Sequence, residues 1–391
     1  MDKSKWEYKK LGEVATFERG LTYSKRDEAT ISSNGVLRSN NIDLDTHELV
    51  FDEIKYLNPN FIIPESKKLK KDSIFICMSN GSKAHLGKVA FADKDYDYAF
   101  GGFMGMIIPK DIFPKYLFYY FLSHNYRNGL EQVGKGANIN NLRFAQLAEF
   151  MVPTPSFSNQ QRIVSELDCL NEMIAVKQEQ LKEFDKLAQS IFYDMFGNRS
   201  WKVKKIKDVA TVKIGPFGSA LHQSDYISGG TPLVNPVHMV NGRIIADNDF
   251  TVSCDKIAEL QPYLLKTNDI VFGRRGDIGR CALVTEKENG YLCGTGSMYV
   301  RFAIDINPVY SLKILSSEET KKYLLDNAKG ATMLNINGGI VENIEIPLPP
   351  LSLQQQFADK ISAIEAQKEL VKQSIAETQY LFNLRMDYYF N

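Results

Sequence analysis

The strongest pattern along the chain is a pair of long, proline-free stretches in which apolar positions recur at alternating steps of four and three. In the first they fall at Ile163, Leu167, Leu170 and Ile174, then beyond Lys177 at Leu181, Phe184, Ala188, Ile191 and Met195. In the second the seam runs Phe357, Ile361 and Ile364, then beyond Lys368 Val371, Ile375, Thr378, Phe382, Arg385 and Tyr389. A period of 3.5 is the narrow seam of a coiled coil, whereas a helix lying on its own globule shows a broader stripe. Each stretch predicts a helix of about 38 residues, roughly 57 Å long. Such a helix needs a partner, and the other copy is the obvious one.

The rest of the chain changes period. Short β-type runs fall at 73–78, 88–92, 104–109, 269–273, 280–285 and 297–302, with helical stretches at 114–127 and 309–327. Prolines then punctuate it at Pro153/Pro155 and Pro347/Pro349/Pro350, just before each seam.

These parts repeat. W-E-Y-K-K-L-G-E-V-A-T-F-E-R-G opens at Trp6, and W-K-V-K-K-I-K-D-V-A-T-V-K-I-G at Trp201, the second of the chain's 2 tryptophans. At nearly the same offset, L-K-K-D-S-I-F-I before Cys77 answers L-K-T-N-D-I-V-F before Gly273. K-G-A at 135–137 answers 329–331, and F-M-V-P-T-P at 150–155 answers I-E-I-P-L-P at 344–349. Agreement of four blocks at one offset establishes a duplicated chain. It predicts a globule at 1–155, a spacer helix at 156–196, a second globule at 197–349 and a second spacer helix at 350–391. The expected fold is α/β (α+β): two repeated mixed globules separated by two long antiparallel coiled-coil helices. Parallel helices would put both globules at one end. The proline hinges and the short link at 197–200 favour the antiparallel route, with approximate two-fold symmetry.

Composition alters this picture little. Hydrophobic residues make up 44% and charged residues 24% of the 391, ordinary for a globular protein. No apolar run is long enough to span a membrane, and M-D-K-S-K-W-E-Y-K-K lacks the apolar core of a signal peptide, so a cytoplasmic protein is expected. Cys77, Cys169, Cys254, Cys281 and Cys293 form no C-x-x-C pair, which argues against a zinc site or disulfide framework. Lys and Arg number 47 and Asp and Glu 47, so the net charge is zero. A DNA-binding domain is usually basic, so any nucleic-acid face must be a local one.

Two similar but non-identical globules on a rigid spacer would act as a ruler with two reading heads, addressing two short, different DNA sequences across an unread gap. The openings at Trp6 and Trp201 resemble those of the target-recognition domains in type I restriction-modification specificity subunits. So do K-I-G-P-F-G-S at 213–219, D-I-V-F-G-R-R-G-D-I-G-R-C-A at 269–282 and I-P-L-P-P-L-S-L-Q-Q-Q at 346–356. The resemblance covers essentially the whole chain. It implies a non-catalytic subunit that binds double-stranded DNA between two methyltransferase subunits, joined by two restriction/translocase subunits. It also implies that S-adenosylmethionine, ATP and magnesium serve those partners, that this chain binds no cofactor or metal itself, and that no membrane is involved.

The candidate DNA contacts are polar loop residues after the predicted strands. In the first globule they are Thr22, Tyr23, Lys25, Ser79, Asn80, Lys83, Asn138 and Asn140. In the second they are Ser219, Arg274, Arg275, Arg280, Lys329 and Thr332. Arginine can grip guanine bidentately and asparagine adenine, while lysine and serine suit phosphates. Arg274 and Arg275 lead this set. Many of the others are equally well read as solvated loop residues. Lys67, Lys68, Lys70 and Lys71 could meet phosphates or simply face water.

Two other classes compete. A stand-alone methyltransferase would need an N-P-P-Y-type loop, and the nearest string, Asn58-Pro59-Asn60-Phe61, departs at its third position; Phe100-Gly101-Gly102 is a weak cofactor-turn match. The E-x-K string at Glu53 and Lys55 suits a metal-dependent nuclease, but Glu7-Tyr8-Lys9 repeats it, and no phosphate-binding loop occurs. A scaffold that binds only proteins remains open on composition. Retention of a defined duplex would separate it from a DNA reader.

Overall fold

The computed structural model describes residues 3–134, 141–197, 200–217, 220–328 and 335–391. Two compact units divide the chain: Met1–Glu179 with Lys372–Asn391, and Gln180–Val371.

In the first unit an antiparallel sheet takes the order Ala15–Arg19, Met104–Pro109, Ile74–Cys77, Val89–Phe91. Its central strand, I-F-I-C, is buried throughout. Ile74 and Ile76 pack with Tyr116 and Leu117 on one face, Phe75 and Cys77 with Leu37 and Phe100 on the other. A strand covered on both faces reads as a continuous apolar run, which is why it carries no alternation. A smaller sheet joins Glu28–Ala29, Lys55–Leu57, Asn34–Leu37 and Ala99–Phe100, its last pair parallel. Glu7–Lys10 pairs with Met151–Thr154 beside the hinge.

The second unit repeats this topology. Its main sheet runs Ala210–Ile214, Ser297–Phe302, Ile270–Gly273, Cys281–Leu283, and its smaller one Tyr226–Ile227, Thr251–Val252, Thr231–Val234, Leu292–Cys293. Lys202–Lys205 pairs with Glu345–Leu348. Even the side-chain brackets recur. Tyr116 Oη donates to the Pro153 carbonyl at 2.9 Å and Tyr310 Oη to that of Pro347 at 3.0 Å. Buried Gln160 accepts from Phe113 N and donates to the Pro155 carbonyl; Gln354 does the same with Asn307 N and Pro349. Each bracket ties a proline hinge to its globule and satisfies carbonyls that would otherwise be sealed from water.

The long helices span Phe157–Phe196 and Leu351–Phe390. Within the first unit Glu166 accepts from Arg385 Nε at 2.7 Å and Tyr389 Oη at 2.6 Å, and Lys177 Nζ reaches Thr378 Oγ1 at 2.9 Å. Within the second, Lys368 Nζ meets Asp185 at 2.7 Å, and the Phe357 ring lies 5.7 Å from that of Phe192 and 5.5 Å from that of Phe196. Numbers rise on one helix as they fall on the other, so the paired segments are antiparallel. The lysines that interrupt the seams lie along them and extend their ammonium groups to polar neighbours on the facing helix.

Every seam position is buried or half-buried, and near the globules the buried stripe widens. Ile163, Val164, Leu167, Met386, Tyr389 and Phe390 belong to the same core as Ile76 and Tyr116. Phe192, Phe196 and Phe357 belong to that of Phe272 and Tyr310. Near the globules the helices therefore pack on them as well as on each other.

Two expected helices are each broken in two. The stretch at 114–127 becomes Pro114–Leu122 and His124–Gly134, because buried Ser123 turns extended, donates back to the Tyr120 carbonyl and accepts from Tyr126 N. The stretch at 309–327 becomes Pro308–Leu315 and Glu318–Asn327, where Ser317 caps the second helix through Thr320 N. Among the described residues no helix is long and apolar enough to cross a membrane.

Candidate nucleic-acid interface

In both units the central strand of the main sheet runs out at one edge into a short polar segment. The backbone frame there is the same. Met78 N donates to the Phe103 carbonyl at 2.9 Å, and its own carbonyl accepts from Leu142 N at 2.7 Å. Arg274 N donates to the Gly296 carbonyl at 2.9 Å, and its carbonyl accepts from Ile336 N at 3.0 Å. Ser79 bridges to Asn141 as Arg275 bridges to Asn335. Beneath each frame two glycines touch. A Cβ on Gly20 would lie 1.9 Å from the Gly101 carbonyl oxygen, and one on Gly215 would lie 2.0 Å from that of Gly294. No side chain fits at either place.

In the first unit this frame borders a cavity of about 830 Å³ that gathers Thr22, Tyr23, Lys25, Ser79 and Asn80 from two separate loops. Arg19, Arg38 and Phe103, which sequence reasoning missed, line it too. Burial raises the Tyr23 phenol above its ordinary value, and the Arg38 guanidinium partly offsets this. Glu28 is the carboxylate in the wall, and Lys55 holds it at 2.5 Å. The wall is therefore locally cationic although the chain is neutral. Asn80 is not free to grip a base with both ends of its amide, because Nδ2 donates to Ser39 Oγ and Oδ1 accepts from Ser82 N. Exposed Lys83 starts the next short helical turn, outside the cavity lining.

In the second unit Arg274 is the anomaly. Only 8% of it is exposed, its Nε has no hydrogen-bond partner, and no carboxylate pairs with it among the described residues. Burial, then the neighbouring charge of Arg275, pull its pKa below the usual arginine value. A buried donor left unmade costs about 1–3 kcal/mol, so the folded chain alone gives no reason to keep it. Arg275 beside it is exposed. Arg280 is committed elsewhere: Nε and Nη2 hold Asp277, and Nη1 reaches the Pro236 carbonyl. Asn138, Asn140, Ser219, Lys329 and Thr332 lie outside the described residues, as do both K-G-A blocks.

The remaining candidates have structural employment. Lys67 pairs with Glu18, Lys68 with Glu65 and Asp97, and Lys70 with Glu65, so these three lysines are not free cations awaiting phosphates. In the 58–61 loop the Asn58, Pro59 and Phe61 carbonyls all accept from Asn34 Nδ2, and Asn58 Nδ2 donates to Arg26 O, which makes it a pinned turn. Cys77, Cys281 and Cys293 are buried and Cys169 and Cys254 exposed, all as free thiols.

Comparison with known proteins accounts for the duplication. The profile of the Type I restriction modification DNA specificity domain matches twice, at residues 3–184 and 198–379. The chain belongs to this family. Among specificity subunits it is 25% identical to that of the type I restriction enzyme StySPI of Salmonella potsdam, over 95% of this chain and 84% of that one. It is 23% identical to that of EcoKI of Escherichia coli K12, with the same coverages of 95% and 84%. The fold is likewise similar to the type I restriction-modification S subunit from M. genitalium, with a TM-score of 0.55 at 14% identity, over 99% of this chain and 96% of that one. A chain from a structure of an assembled type I R-M system gives 0.65 at 17% identity, over 99% and 97%. In specificity-family terms, each matched copy runs from a globule into the helix that follows it.

Proposed function

We propose that this chain reads a bipartite, asymmetric site on double-stranded DNA, one half-site per globule, and that it has no active site of its own. In this reading the long helices are the spacer that sets the unread gap. Two methyltransferase and two restriction/translocase subunits, which use S-adenosylmethionine, ATP and magnesium, assemble on it in the cytoplasm. The observation that carries the reading is the shared backbone frame with unlike side chains on it: Met78, Ser79 and Phe103 in one unit against Arg274, Arg275 and Gly296 in the other. A constant frame with exchanged side chains is what two readers of different sequences need. The committed carboxamide of Asn80 and guanidinium of Arg280 then act as positioning groups, while Arg274, Arg275, Thr22, Tyr23, Lys25 and Ser79 face the duplex.

Mapping adenine methylation in cells that express the full chain with its methyltransferase subunits tests this. One asymmetric, interrupted motif is expected. Arg275→Ala should relax one half of it and leave the other unchanged. A continuous motif, or methylation indifferent to the chain, would overturn the proposal.

A further inference from the structure

The turn after Ala99–Phe100 carries a residue that the frame does not need. Phe103 is 72% exposed, yet its backbone is held: its carbonyl accepts from both Met78 N and Ser79 N, at 2.9 and 3.1 Å. Met104 N closes the turn on the Gly101 carbonyl at 2.8 Å. The ring therefore stands in water on a fixed base, where the second unit has Gly296. Its surroundings say what could cover it. It lines the cavity of about 830 Å³ with Arg19, Lys25 and Arg38, none of which makes an ion pair among the described residues. A protein-docking ring is usually set among other apolar side chains at the core of its patch. An aromatic face flanked by unpaired cations instead matches stacked bases between phosphates.

We propose that Phe103 is a wedge that enters the base stack of the half-site taken by the first unit, with Arg19, Lys25 and Arg38 on the neighbouring phosphates. This rests on the DNA-reading role above and adds to it a contact that the second unit lacks. Unstacking is easiest at pyrimidine–purine steps, so the ring selects such a step by its deformability rather than by hydrogen bonds. The two half-sites are then read by different means, one through deformation and the other through the arginine pair.

The test uses the full chain assembled with its methyltransferase subunits on its mapped site, with 2-aminopurine placed in turn along each half except at the methylated adenine, which the methyltransferase subunits flip from the stack themselves. Wild type should raise 2-aminopurine emission severalfold at one step of one half-site. Phe103→Ala should abolish that rise and weaken binding by about tenfold, with an unchanged melting temperature because the ring is exposed. Phe103→Trp should keep both. Tight binding with no emission rise at any step, or a rise that survives Phe103→Ala, overturns the wedge and leaves the DNA-reading role standing. Failure of wild type to retain its mapped duplex would instead overturn the DNA-reading role itself.

Discussion

Replacing Arg274 by methionine, the residue at the equivalent place in the first unit, separates function from stability. The Arg274 side chain is nearly buried, its Nε is unpartnered and no carboxylate balances it among the described residues. Met78, its counterpart, sits in the first unit's core with 7% exposed. Arg274→Met removes an unmade donor worth about 1–3 kcal/mol and keeps an unbranched stem of similar reach. The second unit should therefore become more stable by about that amount, or roughly 2–4 °C in melting temperature for each kcal/mol. Trp201 lies in that unit, so urea unfolding followed by its fluorescence in a Trp6→Phe background reports on it selectively. The same variant should lose about 1–3 kcal/mol of discrimination at one base pair, measured at fixed salt because phosphate contacts dominate total affinity. Gain of stability and loss of reading must occur together. A less stable protein with unaltered sequence preference would show that Arg274 is a structural residue and refute the argument.

The other predictions concern the frame and the spacer. Tyr116→Phe and Tyr310→Phe should each destabilise their own unit by about 1 kcal/mol, since each strands a hinge carbonyl; thermal melts that fail to shift would show that water replaces the hydroxyl. Gly20→Ala and Gly215→Ala should abolish cooperative folding of the affected unit, read by urea unfolding of each, because backbone oxygen stands where the new methyl would go. Seven residues inserted in register between Leu181 and Leu187 lengthen that helix by about 10 Å, or about three base pairs. The methylation motif should then keep its bases and change its gap. An unchanged gap in a folded protein would remove the helices from the role of ruler.

Periodicity made the helices legible, since only a narrow helix-on-helix seam keeps a 3.5-residue repeat over so many turns, and duplication made the two globules legible. The strands at 104–109 and 297–302 were recoverable because apolar, β-prone runs end at glycine and proline signals. The smaller sheets were not, because pairs such as Glu28–Ala29 and Ala99–Phe100 are too short to show a period. Ser123 was missed because a serine inside an aromatic helical run gives no sign that it will turn back on Tyr120. Among the described candidates, Thr22, Tyr23, Lys25, Ser79, Asn80, Arg274 and Arg275 do follow strands, but the freedom of each side chain was not legible. Asn80 and Arg280 are engaged locally by Ser82 and Asp277, but that they are engaged at both ends depends on Ser39 and Pro236, distant in sequence. Arg274 could be nominated from its charge, whereas its burial could not. Nothing in the sequence marks Phe103, and only its exposure on a fixed turn singles it out.

The split make-up of the first unit bears on how the protein is made. Its core includes Met386, Tyr389 and Phe390, with the Phe390 ring 5.0 Å from that of Tyr116 and Asn125 Nδ2 donating to the Phe390 carbonyl. Residues 11–167 thus wait for residues 386–390 before their shared core can close. The second unit, Gln180–Val371, is a single uninterrupted segment and is complete before residues 372–391 leave the ribosome. Order of synthesis and order of completion are therefore inverted. A product terminated shortly before Tyr389 would carry a finished second globule and an unsealed first one. Its exposed aromatics would mark it for degradation.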